Sequence, residues 1–330
     1  MEEKTTRRWR WGVNRWFVLL FIILSVLAAG AYPPVRPHIQ LPAEPLTDPL
    51  FAFAGQDFYL TNTLVATLIA DLILLLIGFA VWRATRGGNL VPRGISGAVE
   101  ALLEALYNMT ASSAGKWAKA IFPWFATITL LVLVANWTEL IPGVDSIGIL
   151  EKPHAEGVHG FPTQELIPGV QTIVNGEAGE GEGYQLIPFV RVASTDLNFT
   201  LALALTSVVM TQVIGIRALG LSYFTKFLNV RTLFKVPVFG VIDFIVGILE
   251  MVSEFAKVLS FTFRLFGNIF AGSVLLFVIG SLVPVFAQSG FLMLEFFVGL
   301  IQAIVFGLLT MVFMSMAVVS HHGDEHAEEH

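Results

Sequence analysis

Residues 238–283 read VFGVIDFIVGILEMVSEFAKVLSFTFRLFGNIFAGSVLLFVIGSLV, and this apolar run decides the kind of fold that the chain adopts. If its 46 residues form one helix, that helix rises roughly 69 Å, whereas the hydrocarbon core of a bilayer is about 30 Å thick. No proline interrupts the run after Pro237, and its charged residues recur at helical spacing without a turn signal. We therefore predict one long, strongly tilted helix that crosses the membrane once, and not two upright crossings.

The composition of the whole chain agrees with a membrane protein. Of its 330 residues, 55% are hydrophobic and only 13% are charged, about half the charge of an ordinary soluble chain. The absence of cysteine excludes disulfides and thiol chemistry, and no basic stripe is present that would bind nucleic acid. The other apolar spans are Trp16–Tyr32, Asn62–Trp82, Ile121–Ile141, Asn198–Ile216 and Leu292–Val319, the last following a predicted turn at Pro284–Phe291.

Lysine and arginine are unevenly divided among the segments that join these spans. Their counts are five in Met1–Arg15, one in Pro33–Thr61, five in Arg83–Ala120, two in Pro142–Leu197 and four in Arg217–Pro237. Because cytoplasmic segments carry the excess of positive charge, the N-terminus and the segments 83–120 and 217–237 are predicted to lie inside. A single crossing by residues 238–283 then brings the C-terminus back to the cytoplasm.

The predicted fold is an all-α, polytopic membrane protein with about six membrane helices, the last two long and strongly tilted. Residues 1–33 form a retained anchor or a signal-like segment that is cleaved, and residues 34–330 form a single integral membrane domain. Residues 92–119 alternate apolar and charged positions, which predicts an amphipathic helix on the cytoplasmic surface or else a simple linker. Residues 143–190 are predicted to be a flexible external loop, with an irregular acidic run at Gly176–Gly183.

A stripe of polar residues lies inside the long apolar run. Successive members are separated by 3, 1, 3, 3, 4 and 4 residues, so at about 100° per residue they share one helix face. This polar stripe consists of Glu250, Ser253, Glu254, Lys257, Ser260, Arg264 and Asn268. The acids and Lys257 could form structural ion pairs. Arg264 is costly in lipid unless it meets water, a carboxylate or backbone oxygens, and it keeps its proton. We therefore expect Arg264 to face a partner and to act as a permanent positive barrier.

Other polar residues in the spans leave two interpretations open. Glu295 can bind and release a proton, or it can cap the last helix near the predicted turn. Gln302 is seven residues later and on the same face. It either has a functional role or joins helices by hydrogen bonds. Asp71 is in the middle of its span, where a functional role and a satisfied structural contact are equally compatible with the sequence. For Asn136 and Glu139, at the end of their span, the two interpretations are that they line a water-filled mouth or that they cap a helix at the membrane interface.

Four sequence motifs together resemble subunit a of F-type ATP synthases, from about Leu60 to the end of the chain. They are RLFGNIFAG at 264–272, TDLNFT at 195–200, NWTELIP at 136–142 and the Gln302 helix that ends in SMA at 315–317. The resemblance implies a pair of long tilted helices that curve around a rotating ring of c subunits. It also implies a non-catalytic subunit of the Fo sector that carries protons during ATP synthesis, although the sequence leaves sodium open.

The resemblance also implies roles for individual residues in ion translocation. The motif arginine, Arg264, faces the ring carboxylate and separates two aqueous half-channels. The outer half-channel normally has a pair of titratable residues, of which Ser273 replaces one and Glu295 keeps the other, so a two-residue relay is in doubt. The remaining family positions are Gln302 and Asn268 near the arginine, Glu250 and Ser253 in the inner half-channel and Glu139 near the outer mouth.

The implied partners are the c-subunit ring, b-type peripheral stalk subunits, the rest of the F1Fo complex and membrane lipid, in a bacterial-type plasma membrane. We expect no cofactor, no metal and no nucleic acid. A stand-alone secondary transporter would need its own substrate site and paired discontinuous helices, which we do not find in the sequence. An intramembrane metalloprotease would need a His-Glu-x-x-His motif in a span, whereas four histidines lie in the acidic tail at 320–330.

Overall fold

The computed structural model describes residues 11–31, 43–53, 55–86, 94–141, 143–152, 160–174, 176, 183–227, 237–282 and 286–319. Within these residues the chain is mainly helical. The α-helices are α1 (Trp11–Ala31), α2 (Asn62–Arg86), α3 (Ile95–Ala114), α4 (Ala118–Trp137), α5 (Leu197–Leu219), α6 (Pro237–Leu282) and α7 (Phe286–Ala317). Short 3-10 turns at Gly115–Trp117, Thr138–Leu140, Val144–Ser146, Ala193–Thr195 and Gly220–Lys226 extend or join them.

Five helical stretches of the described residues are long and apolar enough to cross a membrane. They are Asn62–Arg83, Ser96–Leu140, Leu197–Leu219, Phe244–Leu282 and Ala287–Ala317. The apolar part of α1, Arg15–Leu27, is shorter. The prediction of an all-α, multi-pass membrane protein is therefore confirmed.

The long apolar run forms a single continuous helix, as predicted. Helix α6 has 46 residues and α7 has 32. The predicted turn at Pro284–Phe291 is wrong in extent, because α7 already begins at Phe286 and only residues 283–285 lie outside the described helices. The composition of this segment suggested a turn because it contains Gln288, Ser289 and Gly290. In the structure these three residues are helical and form part of the first turns of α7.

The segment predicted to be an amphipathic helix, residues 92–119, corresponds mainly to α3. Glu100 and Glu104 are exposed on it, whereas Leu106 is buried in a cluster with Ile121 and Phe125 of α4. Only the 3-10 turn at Gly115–Trp117 separates α3 from α4. The two-faced character that the sequence predicts is present, and the apolar face packs on the next helix of the same chain.

Six short strands form three antiparallel pairs. The strands are β1 (Phe51–Phe53), β2 (Gln56–Phe58), β3 (Gly148–Glu151), β4 (Thr163–Ile167), β5 (Val170–Ile173) and β6 (Gln185–Pro188). They pair as β1 with β2, β3 with β6 and β4 with β5. The four last strands lie in the segment 143–190, so the described part of the predicted flexible loop contains regular pairing. Residues 177–182 of the acidic run lie outside the described residues, as does the tail 320–330.

The chain divides into two compact parts. One comprises Met1–Gln40, Ser146–Pro188 and Ala271–Phe297, and the other comprises Leu41–Asp145, Phe189–Phe270 and Val298–His330. In the first part, Gly160 and Gly183 approach so closely that a Cβ on either would overlap the backbone of the other. The main apolar core of the second part joins α4, α5, α6 and α7 through buried side chains, which include Val132, Leu203, Phe261, Leu265 and Phe306.

Candidate functional site

Arg264 projects from α6 beside the face that holds this helix in the core. Val258, Phe261, Leu265 and Ile269 are buried, and they recur every three or four residues along one side of α6. The ring of Phe261 packs against that of Phe306 on α7, with centroids 5.0 Å apart. Packing of this apolar face fixes the rotation of α6, so the neighbouring polar stripe is fixed in direction as well.

The guanidinium of Arg264 forms one hydrogen bond and no ion pair within the described residues. Arg264 is partly exposed, and its Nη2 donates a hydrogen bond of 3.3 Å to Oγ of Ser260, one turn earlier. Within the described residues, no carboxylate forms an ion pair with it. A guanidinium has five N–H donors, so most of the hydrogen-bonding capacity of Arg264 is not used within the described residues.

Lys257, the other cation of the polar stripe, is paired within the chain. Its Nζ lies 2.7 Å from Oε1 of Glu254 and 4.8 Å from the ring centroid of Phe313 on α7. The structural ion pair that the sequence allowed is therefore present for Glu254 and Lys257. The two cations of the stripe differ in this respect, because only Lys257 has a carboxylate partner among the described residues.

The remaining predicted residues of this region lie on α6 and α7 in the second compact part. Ser253 and Asn268 are exposed, and Asn268 is one turn beyond Arg264 on the same helix face. Glu250 is partly buried and has an interaction with its surroundings. Gln302 is partly buried on α7, beside the fully buried Ala303. Exposed and partly buried residues therefore alternate along the polar stripe.

Glu295 lies against α6 in the first compact part of the chain. Only 6% of Glu295 is exposed, and its Oε1 has no hydrogen-bond partner within the described residues. A methyl group at Gly272 would lie 2.6 Å from Cδ of Glu295, so the absence of a side chain at Gly272 creates the space for the carboxyl group. The alternative that Glu295 caps its helix is wrong, since α7 begins nine residues earlier at Phe286.

Ser273, the next residue along α6, is also buried in this part. It is 8% exposed, and its Oγ has no hydrogen-bond partner within the described residues. Two polar atoms without hydrogen-bond partners among the described residues therefore lie near each other, since Glu295 contacts Gly272, which precedes Ser273. Buried polar atoms without a protein partner are uncommon in native proteins, and a bound water or a chemical role can account for them.

Asn136 and Glu139 lie at the end of α4 and are both buried. Asn136 donates from Nδ2 to the carbonyl of Gly299, at 3.3 Å, and accepts from Oγ of Ser194 at 2.6 Å. Gly299 on α7 lets the helices approach, because a Cβ there would lie 3.2 Å from Cβ of Asn136. Glu139 is 8% exposed in the 3-10 turn that follows α4. Asn136 therefore joins helices, whereas Glu139 places a carboxyl group near their end.

The start of α2 and the start of α5 are joined by a buried hydrogen bond that sequence reasoning missed. Thr63 donates from Oγ1 to Oδ2 of Asp196 at 2.8 Å. The other carboxyl oxygen of Asp196 accepts from the backbone N–H of Asn198 at 2.8 Å, so Asp196 is the N-cap of α5. Its position just before an apolar span is a known N-cap signal, which could have identified it. We call Thr63, Asp196, Asn136 and Ser194 the helix-end network.

A second missed feature lies just beyond α4, where Asp145 and Arg191 interact electrostatically. Burial raises the pKa of Asp145 to about 6, and the positive charge of Arg191 opposes part of this increase. The two residues are 46 positions apart in the sequence, so no local motif could have paired them. Asp145 can therefore exchange a proton near neutral pH, outside the membrane-spanning helices.

Asp71 is the tenth of the 25 residues of α2, and it is exposed. Within the described residues it forms no hydrogen bond or ion pair, so the structural contact that the sequence allowed is not found there. Among the same residues, no group of three or more His, Asp or Glu side chains converges as metal ligands. The histidines of the tail lie outside the described residues.

Comparison with known proteins gives one consistent family. The model of the ATP synthase A chain family matches residues 64–315. The chain is 27% identical to ATP synthase subunit a of Syntrophobacter fumaroxidans over 267 residues, which cover 81% of this chain and 88% of that protein. It is 27% identical to the Moorella thermoacetica subunit over 260 residues, covering 79% and 92%. It is 29% identical to the Mycobacterium ulcerans subunit over 263 residues, covering 78% and 87%. Since the family model spans most of the chain, including the arginine motif and the helices that position it, this protein belongs to the ATP synthase A chain family.

Proposed function

We propose that this chain is the ion-conducting stator subunit of the Fo sector of an F-type ATP synthase. It provides two proton half-channels that Arg264 separates, and it couples proton translocation to rotation of the c ring and to ATP synthesis. The chain has no catalytic activity of its own in this role. It works with the c-subunit ring, b-type peripheral stalk subunits and the rest of the F1Fo complex, in a bacterial-type plasma membrane with both termini in the cytoplasm.

The observation that carries the proposal is the environment of Arg264. A permanently charged guanidinium in an apolar helix is costly unless another charge meets it. Arg264 is partly exposed, and its one hydrogen bond within the described residues goes to the neutral hydroxyl of Ser260. The nearby cation Lys257 is neutralised by Glu254, 2.7 Å away. Arg264 thus has a charge available for a carboxylate on another subunit, as the rotating ring of this family would supply.

The charge of Arg264 attracts a passing carboxylate strongly enough to bind it for a time, but weakly enough for the carboxylate to leave again. At an effective dielectric constant of about 20, opposite charges about 4 Å apart attract by roughly 4 kcal/mol before desolvation. The same positive charge repels a proton that would otherwise pass directly from one half-channel to the other. Arg264 therefore favours a deprotonated rotor site opposite it and prevents a leak.

In this proposal Glu139 and Glu295 both serve the outer half-channel, Glu139 at its mouth and Glu295 as the group that delivers the proton. Both carboxyl groups are at least nine-tenths buried, so water or a proton must reach them through the protein. Ser273 is the polar neighbour of the Glu295 site. Its hydroxyl cannot titrate in the physiological range, so Glu295 is the titratable group that delivers the proton. Buried Oγ of Ser273 and Oε1 of Glu295, which lack hydrogen-bond partners within the described residues, are suited to hold water or the proton in transit.

The inner half-channel in this proposal begins beside Arg264 and ends near Glu250. Ser253 is exposed and Glu250 is partly buried on the same face of α6, so they provide polar groups in an otherwise apolar helix. Asn268 and Gln302 supply uncharged hydrogen-bonding groups on α6 and α7. Their amides interact with a passing carboxylate or with water without adding a competing charge.

Replacement of Arg264 by Ala tests the proposal. ATP-driven proton pumping in inverted membrane vesicles is expected to fall at least about a hundredfold, because roughly 4 kcal/mol of attraction to the rotor carboxylate is lost. Passive proton leak through Fo is expected to rise, since the barrier between the half-channels is removed. The amount of assembled complex, measured by native gel electrophoresis, should not change.

Lys257→Gln is the matched control, because it removes a cation from the same polar stripe whose carboxylate partner lies in the same chain. It should leave coupled pumping within about threefold of the unmodified complex. Coupled pumping that survives Arg264→Ala unchanged, in a fully assembled complex, would contradict the proposed function.

A further inference from the structure

Helix α2 carries a carboxylate in the middle of a membrane span. Asp71 is the tenth residue of the helix Asn62–Arg86, so it lies about 14 Å from the first residue along the helix axis. The span itself runs from Asn62 to Arg83, which places Asp71 close to its centre. A charged side chain at this depth is rare and normally has a partner.

The face of α2 that carries Asp71 is not the face that is buried against other described residues. Ala66 and Ala70 are buried against Ala135 and Ala193, and these small residues allow close packing. Leu68 and Leu75 lie three residues before and four residues after Asp71, so they share its face. They are 55% and 71% exposed. Asp71 therefore belongs to an exposed leucine-rich surface.

Lipid alone accounts for the leucines of this surface but not for the acid. Acyl chains cover exposed leucines at no cost, whereas they offer no hydrogen-bond donor or positive charge to a carboxylate. Asp71 forms no hydrogen bond or ion pair with any residue that the structure describes. The surface therefore combines an apolar contact area with one negative charge, which is complementary to an apolar helix bearing one cation.

We propose that the Asp71 face of α2 binds a transmembrane helix of another subunit, which places a lysine or arginine against the Asp71 carboxylate. A helix is the fitting partner because its backbone groups are satisfied internally within the membrane. The leucines supply the packing surface, and the ion pair sets the depth and rotation of the bound helix. The inference goes beyond the proposed function, since it requires a spanning α2 beside another membrane subunit but no role of Arg264 in proton transport.

Photo-crosslinking in the intact complex identifies what covers this face. Benzoylphenylalanine is placed at Leu68 or Leu75, and the same probe at Val209 of α5, which is 54% exposed, serves as the matched control. We expect Leu68 and Leu75 to crosslink to one membrane helix, within one turn of a lysine or arginine, and Val209 to give a different product. Adducts with lipid only, with the same chain, with a second copy or with a helix that lacks a basic residue there would overturn the proposal, as would the same product from Val209.

Charge exchange then tests the ion pair itself. Asp71→Lys should reduce the amount of the crosslinked subunit in the purified complex at least about tenfold, because two like charges would face each other. Replacing the basic residue of the partner with Asp should restore it. Asp71→Leu suits a lipid-exposed face, so the chain should still accumulate in the membrane but lose the partner. Full retention of the partner by Asp71→Leu, or failure of the exchange to restore binding, would overturn the proposal.

The crosslink also separates this inference from the proposed function. A complex that carries Arg264→Ala should show the same Leu75 crosslink in the same yield, since α2 binding does not depend on proton transport. Loss of the crosslink in that complex would contradict an independent binding surface on α2.

Discussion

The polar stripe of α6 and the helix-end network show two uses of polar residues in an apolar chain. In the network, Asp196 accepts from Thr63 and from the backbone of Asn198, and Asn136 bonds to both Ser194 and Gly299. In the stripe, the charge of Arg264 meets only the hydroxyl of Ser260 within the described residues. Polar groups that are satisfied within the chain hold helices together, whereas a charge left without a counter-charge indicates a partner outside the chain.

This comparison makes a general prediction about variants. Changes in the helix-end network should mainly lower stability, because they leave buried partners unsatisfied. Changes at Arg264 or around Glu295 should mainly lower coupled transport, with little effect on folding. The Arg264→Ala experiment described above is the largest expected effect on the transport side, and the following variants test the comparison with progressively smaller effects.

Asp196→Ala should cause the largest loss of stability. It removes the N-cap of α5 and breaks the hydrogen bond that the buried hydroxyl of Thr63 donates to Asp196, so the free energy of unfolding should fall by about 2 to 4 kcal/mol. The measurement is unfolding of the purified chain in detergent by titration with sodium dodecyl sulfate. Asp196→Asn keeps a capping oxygen and should lose less than about 1 kcal/mol. Equal losses for the two variants would mean that the hydrogen bonds of Asp196 do not contribute as described.

Gly272→Ala should reduce transport and leave the fold intact. The added methyl group would overlap the Glu295 carboxyl group, which can rotate away because it is the end of a flexible side chain. Displacement of a transport group by about 1 Å should reduce ATP-driven pumping about tenfold. Gly290→Ala is the control, because no atom lies within 4 Å of a Cβ at Gly290. If both variants pump at the same rate, the position of Glu295 against Gly272 is unimportant for transport.

Tyr223→Phe should cost about 1 kcal/mol of unfolding free energy. The Tyr223 hydroxyl donates to Oε1 of Gln212 at 2.6 Å, and Nε2 of Gln212 has no partner within the described residues. Burial, followed by the charges of Glu254 and Glu250, raises the pKa of Tyr223 to about 12. The hydroxyl therefore remains a donor at every working pH, and the loss should be equal at pH 6 and pH 9. A loss that disappears at pH 9 would show that the phenol ionises and would contradict this assignment.

Asp145→Asn should have the smallest effect, visible only as a change in pH dependence. The folded-state pKa of Asp145 is raised from 3.8 to about 6, so the folded chain binds the proton more tightly than the unfolded chain. The contribution of Asp145 to stability is therefore most favourable below pH 4, and it declines as the pH rises from about 4 to about 6. Above pH 6, Asp145→Asn should be more stable than the unmodified chain by less than about 1 kcal/mol, after allowance for solvent screening.

The pH profile of unfolding, measured for both chains between pH 4 and pH 8, tests this expectation. Destabilisation by Asp145→Asn at pH 7.5 would show that attraction to Arg191 exceeds the cost of burial. Asp145 would then belong with the satisfied groups of the helix-end network and not with groups that titrate.

Most of the fold was predictable because membrane helices are encoded by local composition. Four predicted spans agree with α1, α2, α4 and α5 to within a few residues, and α6 is continuous, as the absence of proline or a turn signal indicated. The turn before α7 was overestimated because Ser289 and Gly290 are compatible with both a turn and a helix. The strand pairs between residues 148 and 188 were missed because the glycine-rich acidic run dominated the interpretation of that segment.

The candidate site was predictable only in part, because only some of its features can be seen from neighbouring residues in the sequence. Arg264 is conspicuous because an arginine among phenylalanines violates the local apolar pattern, and Glu295 violates it in the same way. The contact between Gly272 and Glu295, the bond from Thr63 to Asp196 and the interaction of Asp145 with Arg191 join residues that are far apart in the sequence. No periodicity or spacing in one sequence indicates which distant side chains meet.

By itself, the sequence determined that the chain is a multi-pass helical membrane protein with a single isolated guanidinium in its longest helix. It could do so because hydrophobicity, helical period and the cost of a charge in lipid act on neighbouring residues along the chain. Only the tertiary structure decided which polar groups are satisfied. Packing brings Asp196, Asn136 and Lys257 to partners in the same chain, and within the described residues it leaves Arg264 and Asp71 without a counter-charge.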